Sequence, residues 1–220
     1  MATKPKRTNV PTQVVNTQSR SLAASPTEAL RRLKAGNRRF VQGKATHSQV
    51  SREFLTSLST QQRPFAVILG CSDSRVPPEL IFDQDFGALF VIRLAGNTIT
   101  PGVYGSIQYA HLHLHTKLLV ILGHEGCGAV KATLSTMKHK IKHPERIHAV
   151  VDLIQPGLSE VDLQLPDDDQ LHSAVEANVR WSMNQIMSTP EMQRALREKK
   201  NIGIVGAIYE LATGQVRWLK

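Results

Sequence analysis

Four short apolar runs, separated by amphipathic segments, constrain the fold of this chain more than any other feature. The runs occupy residues 65–69, 88–92, 118–122 and 202–208. No polar residue interrupts them, which is typical of strands buried on both faces. Helix candidates lie at residues 102–115, 127–142, 170–187 and 190–199. The alternation predicts an α/β fold: a single domain with a mostly parallel central sheet of four to five strands, flanked by helices.

The regions outside this alternation are also informative. Residues 1–24 contain no acid and no apolar core, so we expect a disordered basic arm before a domain that spans 25–220. Ser25, Pro26 and Glu28 match a helix N-cap, a first-turn proline and a capping-box acid, which predicts a helix from about residue 25 to residue 43.

Two further segments have weaker patterns. Residues 143–169 contain three prolines and an acidic run, and we expect a surface connection there, with the aspartates capping the next helix. Residues 209–219 contain a Thr-Gly turn and are expected to fold back as an edge strand.

The charge distribution excludes several classes of protein. Residues 1–50 hold ten Lys and Arg against one acid, and the rest of the chain holds seventeen of each sign. A nucleic-acid-binding protein is expected to carry its basic face on the folded part, so we expect no nucleic-acid partner.

No apolar run approaches the ~20 residues of a transmembrane helix. No glycine-rich phosphate loop follows the first run, which argues against a nucleotide-binding protein.

The N-terminus lacks the apolar centre of a secretory signal. We therefore expect a cytoplasmic protein, or a periplasmic or organellar one if a leader has been removed.

Two cysteines and one histidine follow the ends of two predicted strands. The cysteines are Cys71 and Cys127, which by themselves fit one disulfide, two buried inert side chains or metal ligands. Cys71 follows the first run, and His124 and Cys127 follow the third, each in a glycine-framed segment. Because the carboxyl ends of parallel strands meet at one edge of a sheet, these side chains can converge. Two thiolates and an imidazole suit Zn²⁺.

Asp73 and Arg75 lie in the same segment as Cys71. Asp73 can serve as a fourth ligand or stand aside, and Arg75 can pair with it and hold it off the metal. Three protein ligands with an open position are typical of catalytic zinc, whereas four are typical of structural zinc. The residues alone leave both arrangements open.

The segment Cys71-Ser-Asp-Ser-Arg75, followed by His124-x-x-Cys127, closely resembles the β-carbonic anhydrases. The resemblance covers the chain beyond the arm. It implies that Cys71, His124 and Cys127 are zinc ligands and that Asp73 and Arg75 are a catalytic pair. The implied reaction is the reversible hydration of CO2 to bicarbonate and a proton through zinc-bound hydroxide, in a homo-oligomer that is a dimer or a tetramer.

The same resemblance suggests substrate-binding residues. Gln62 matches a glutamine that binds substrate, and Phe90 and Tyr109 match pocket aromatics that the family draws in part from a neighbouring subunit. In one subgroup the aspartate closes the site as a fourth zinc ligand, which makes Asp73 a possible ligand in a closed state. That subgroup can bind bicarbonate at an allosteric site through a tryptophan where this chain has Ile68, so we expect no such site here.

Two alternatives use the same residues. One is a hydrolase of a CO2 analogue, CS2 or COS, on the same zinc site. The other is a non-catalytic zinc or redox module, with four permanent ligands or a Cys71–Cys127 disulfide. Arg75 and Gln62 favour an enzyme, because a structural site has no use for either.

Overall fold

A five-stranded sheet organises the part of the chain that the computed structural model describes, residues 25–46, 50–198 and 200–219. Its strands are β1 (Ala66–Gly70), β2 (Leu89–Arg93), β3 (Leu118–His124), β4 (Gly203–Tyr209) and β5 (Val216–Trp218). The order is β2-β1-β3-β4-β5, in which the first four are parallel and β5 is antiparallel to β4. The predicted mostly parallel sheet and its antiparallel edge strand are confirmed. The predicted arm, 1–24, lies outside the described residues.

Helices flank this sheet. The α-helices of the described residues are α1 (Pro26–Val41), α2 (Arg52–Leu58), α3 (Pro78–Ile81), α4 (Pro101–Leu112), α5 (Gly128–His139), α6 (Glu145–Ile154), α7 (Asp167–Met187) and α8 (Pro190–Arg197). Short 3-10 helices in the same part of the chain occupy Ala95–Asn97 and Gln155–Leu158. None of the helices described has both the length and the apolar composition to cross a bilayer.

The strands are apolar throughout because both faces of the sheet are covered. Side chains alternate between the faces, so Leu69 packs into a cluster with α5, α6 and α7, while Ile68 packs into a second cluster with α1 and α3. Both side chains are fully buried, and burial of each stabilises the fold by roughly 1.5–3 kcal/mol.

The predicted start of α1 is confirmed. The Ser25 hydroxyl accepts a hydrogen bond from the backbone N–H of Glu28 at 3.1 Å, and Leu33 is fully buried against the sheet. A side chain at Gly36 would place its Cβ 1.8 Å from the carbonyl oxygen of Phe82. Glycine at this position therefore allows α1 to pack closely on the segment after α3.

The predicted surface connection at 143–169 is wrong for its central part, which forms α6 and a 3-10 helix. Pro144 is the N-cap of α6 and Pro156 lies just beyond its end. The prolines that suggested irregular structure thus mark helix boundaries. Ile154 of α6 is fully buried in the core, which explains why a helix forms there.

Several helix boundaries also differ from the predicted ones. The helix predicted at 102–115 ends at Leu112 with His113 as its C-cap, and the chain then passes through His115, which has a left-handed backbone (φ 57°). The helix predicted at 127–142 ends at His139, because Lys140 is also left-handed (φ 55°). α7 begins at Asp167, so the acidic run forms its first turn, where negative charge favours the helix dipole.

Candidate metal centre

The carboxyl edge of β1 and β3 brings together the three predicted ligand residues. Cys71 directly follows β1, His124 is the last residue of β3, and Cys127 is the N-cap of α5. Their side-chain sulfur and nitrogen atoms all lie within 4.8 Å of one another. The predicted convergence is therefore confirmed. All three residues are buried, at 6%, 0% and 1% exposure respectively.

The imidazole of His124 is oriented by one backbone contact. Its Nδ1 lies 2.8 Å from the carbonyl oxygen of Glu125, and a carbonyl can only accept, so the ring proton is on Nδ1. The other nitrogen, Nε2, is buried and has no hydrogen-bond partner among the described residues. A buried polar atom without a partner is costly, and a cation at this position would satisfy it. This orphaned nitrogen beside two sulfurs is a donor set that fits Zn²⁺.

Two glycines shape the backbone around the sulfurs. Gly126 has a positive φ of 64°, which allows the sharp turn from β3 into α5. Gly96 (φ 65°) donates its N–H to the Cys71 sulfur at 3.4 Å, and its carbonyl accepts from Asn178 at 2.8 Å. A Cβ on Gly96 would lie 2.7 Å from a methyl group of Ile154. The sulfur is thus held by a backbone segment that has no room for a side chain.

The two thiols influence each other. Both are free. A hydrogen bond from Cys127 is the main cause that lowers the pKa of Cys71, and the same contact raises the pKa of Cys127. One proton therefore leaves the pair readily while the second is retained. A bound divalent cation would supply the positive charge that is needed to hold both residues as thiolates.

Asp73 lies beside the three candidate ligand residues but is bound by Arg75. Arg75 donates from Nε to Oδ1 at 2.9 Å, from Nη2 to Oδ2 at 2.7 Å and from its backbone N–H to Oδ1 at 2.9 Å. These bonds, with the side chain of Arg75 as the main cause, hold the pKa of Asp73 well below its usual range. Oδ2 lies 3.9 Å from Nε2 of His124. The carboxylate is therefore ionised and adjacent to the ligand atoms, and the predicted pairing with Arg75 is confirmed.

Arg93 is a contributor whose role sequence reasoning missed. It ends β2, opposite Gly70 in the register, and donates from Nε to the carbonyl oxygen of Cys71 at 2.8 Å and from Nη2 to that of Asp73. Arg93 therefore fixes the backbone of the loop that carries both side chains. The signal available in the sequence was a charged residue at the end of an apolar strand.

Comparison with known proteins gives the family of the chain. The family model for carbonic anhydrase matches residues 66–216. A carbonic anhydrase of Mycolicibacterium smegmatis is 39% identical over 88% of this chain and 93% of its own length. The chain belongs to the β-carbonic anhydrase family.

Solved structures of this family show the same fold. The β-carbonic anhydrase CafA of Aspergillus fumigatus is 26% identical, with a TM-score of 0.69 over 88% of this chain and 90% of its own. A β-carbonic anhydrase of Sordaria macrospora, described as tetrameric, is 24% identical, with a TM-score of 0.68 over 76% of this chain and 86% of its own. The protein is thus an enzyme of the carbonic anhydrase type.

In this β-carbonic anhydrase, the predicted pocket residues lie away from the chain's own metal centre. Phe90 pairs in register with Val67, four residues before Cys71, which corresponds to about 13 Å along the strand. Tyr109, on α4, is 48% exposed, and its ring centroid is 6.3 Å from that of Phe90. Gln62 is exposed on the segment that leads into the amino end of β1. The structure brings two of the three together as an aromatic pair, but not beside the sulfurs.

Proposed function

We propose that this protein is a zinc enzyme that interconverts CO2 and bicarbonate, with Cys71, His124 and Cys127 as the zinc ligands. The observation that carries the proposal is the buried cluster of two sulfurs and an unpartnered imidazole nitrogen, with an ionised carboxylate 3.9 Å from that nitrogen. Zinc in such a site lowers the pKa of a bound water and so supplies a nucleophile near neutral pH.

Asp73 positions the nucleophile. Its carboxylate is ionised at neutral pH because its pKa is held low by Arg75, so it accepts a hydrogen bond from the attacking oxygen and aims a lone pair at the carbon of CO2. Arg75 occupies both carboxylate oxygens, which keeps Asp73 from moving onto the metal. The proton released in the reaction leaves to a solvent buffer.

The contacts of Asp73 would keep it from acting as a fourth ligand. For Asp73 to become a fourth ligand in a closed state, its carboxylate must give up hydrogen bonds to the guanidinium and the backbone N–H of Arg75. These bonds are charge-assisted and paired, so giving them up opposes the movement of Asp73. A site that stays open to water is the arrangement required for catalysis.

A second copy of the chain completes the substrate pocket in this proposal. Phe90 lies on β2, the unpaired edge of the described sheet, and Tyr109 and Leu112 of α4 are about half exposed. An apolar edge of this kind is typical of an oligomer interface, and the Sordaria macrospora relative is described as tetrameric. Phe90, Tyr109 and Gln62 would then face the metal centre of the neighbouring chain.

The decisive experiment is stopped-flow CO2 hydration from pH 6 to pH 9 with zinc-loaded wild type and the Asp73→Asn variant. We expect wild-type activity to rise with pH, because the bound water must lose a proton, and the variant to lose about 10²-fold, since general acid–base and orienting groups contribute on that order. Zinc content should not change. Asparagine keeps the size of the side chain but removes its charge.

Two outcomes would contradict the proposal. Undiminished turnover by Asp73→Asn would reject the role of the carboxylate. Turnover of CS2 without hydration of CO2, measured on the same zinc-loaded sample, would instead assign the site to the hydrolase alternative.

A further inference from the structure

A basic corner lies where α5 ends and α6 begins, residues 138–148, here called the α5–α6 corner. Seven of its eleven residues are cationic or titratable bases: Lys138, His139, Lys140, Lys142, His143, Arg146 and His148. The acid within it is Glu145. The balanced charge of the chain beyond residue 50 therefore conceals a strong local excess of positive charge.

Two large aliphatic side chains protrude among these charges. Ile141 is 44% exposed and lies between two lysines in the sequence, and Ile147 is 50% exposed and follows Arg146. The left-handed backbone of Lys140 turns the chain sharply at the end of α5. Ile141 directly follows this turn, and Ile147 lies in the first turn of α6.

Several of the cations have no ion-pair partner among the residues that the structure describes. Lys138 pairs with Asp167 at 3.0 Å, and His148 lies 3.6 Å from Asp152. Three exposed cations of the corner form no ion pair within the described ranges: Lys140, Lys142 and Arg146. These three charges are available to an external anion.

The corner is separate from the metal centre. α5 begins immediately after Cys127 and contains 12 residues, so its far end lies about 18 Å away along the helix. A surface that binds at this corner therefore leaves the ligand residues untouched.

We propose that the α5–α6 corner docks the protein on an anionic lipid surface. Each Lys or Arg held near such a surface strengthens binding about fivefold, and aliphatic side chains beside the charges enter the boundary between headgroups and acyl chains. An acidic protein surface would pair with the cations but would offer no apolar layer to two isolated, protruding isoleucines. The combination therefore favours a bilayer over an acidic polypeptide. The proposal does not depend on the reaction that the metal centre performs.

Co-sedimentation of the full-length, zinc-loaded protein with vesicles tests the proposal. The vesicles are phosphatidylcholine mixed with phosphatidylserine, compared with phosphatidylcholine alone. We expect binding to the anionic vesicles, and a loss of at least about 10²-fold in the variant Lys140→Glu/Lys142→Glu/Arg146→Glu, because three attractive charges are lost and three repulsive ones replace them. Ile141→Ser/Ile147→Ser should weaken the binding that remains at high salt, where charge attraction is screened.

A charge-matched control separates the corner from the basic arm. The variant Arg194→Glu/Arg197→Glu/Lys200→Glu makes the same change of net charge at α8 and the residues after it, and leaves residues 1–24 intact. It should retain most of the vesicle binding. Thermal melting of all variants checks that each is folded.

Three outcomes would overturn the proposal. The first is no binding of wild type to anionic vesicles. The second is equal binding by the corner variant and the α8 variant, which would assign any binding to the arm or to net charge. The third is binding to immobilised polyglutamate but not to vesicles, which would indicate an acidic protein partner.

Discussion

A single chain assembles the whole side-chain cluster at the carboxyl edge of the sheet, but it does not enclose a pocket around the aromatic pair on β2 and α4. At the edge, the three candidate ligand residues lie together, Asp73 lies beside them and Arg75 binds Asp73, all within one chain. The aromatic pair, Phe90 and Tyr109, is assembled too, but it lies about 13 Å further along the sheet and is partly exposed.

This difference shows how the two parts depend on the fold. The edge needs only two neighbouring parallel strands and the short turns that follow them, so it is complete as soon as one chain folds. The pair requires a second surface before it encloses anything. The metal centre is therefore a property of the chain, and in our proposal the substrate pocket is a property of the assembly.

The largest effect should come from removing an edge residue. His124→Ala deletes the buried nitrogen that has no other partner, so we expect zinc content to fall and CO2 hydration to drop by about 10³-fold or more, because the nucleophile depends on the metal. Zinc per chain by atomic absorption and stopped-flow rates give the two readouts. His139→Ala, an exposed histidine at the end of α5, is the matched control. Full activity of His124→Ala would place the chemistry elsewhere.

Loss of the arginine should have the next largest effect. Arg75→Ala frees Asp73 to move toward the metal, and we expect a loss of roughly 10²-fold with zinc retained. In wild type the pKa of Asp73 is depressed, so the stabilisation that its charge provides is present at neutral pH and is lost only as pH falls below the usual aspartate range.

The variant should lose this stabilisation, so its acid unfolding midpoint should move to higher pH, which circular dichroism can follow. Arg75→Lys keeps the charge but not the paired hydrogen bonds, and should be intermediate. An unchanged acid midpoint in Arg75→Ala would contradict the assigned cause of the pKa shift.

A mixing experiment tests the comparison itself. Phe90→Ala/Tyr109→Ala should reduce kcat/KM by roughly tenfold with zinc retained, because the pocket loses apolar contacts with substrate. Refolding this variant together with His124→Ala should restore activity to about a quarter of wild type, since half of randomly paired dimers then contain one intact metal site facing intact aromatics. Absence of recovery in verified hybrids would place the pocket within one chain.

The smallest effect on activity is expected from a substitution on the face of the sheet that α1 covers. Leu33→Ala leaves a cavity between α1 and the sheet and should lower the free energy of unfolding by about 2–5 kcal/mol. The rate per folded molecule should not change, because Leu33 packs in a different core cluster from Cys71 and Cys127. Urea unfolding and stopped-flow rates on the same sample check both statements, and a reduced rate at full folding would link the two faces.

Sequence patterns predicted the sheet and the ligand cluster for a physical reason. Strands covered on both faces, such as β1 and β3, must be apolar throughout, so each one is visible in the sequence as an uninterrupted apolar run. Cys71 and His124 lie just after the ends of two such runs. The placement of these residues therefore required only the general rule that parallel strands share a carboxyl edge.

Other features depend on contacts that no local pattern encodes. The role of Arg93 follows from the register of β1 against β2, which places it opposite Gly70. α6 was hidden because its flanking prolines are equally compatible with an irregular loop. His115, just beyond α4, has a left-handed backbone, which cannot be predicted from a histidine in the sequence.

The hydrogen bond between Gly96 and the Cys71 sulfur links a distant helix to the electronics of the site. A sulfur that accepts a hydrogen bond from an N–H donates less electron density to a bound cation. That cation would therefore be a stronger Lewis acid. The strength of that N–H contact depends on where Asn178 of α7 holds the Gly96 carbonyl. Substitutions along α7 would thus change the Lewis acidity of the bound cation during evolution without any change in the ligand residues.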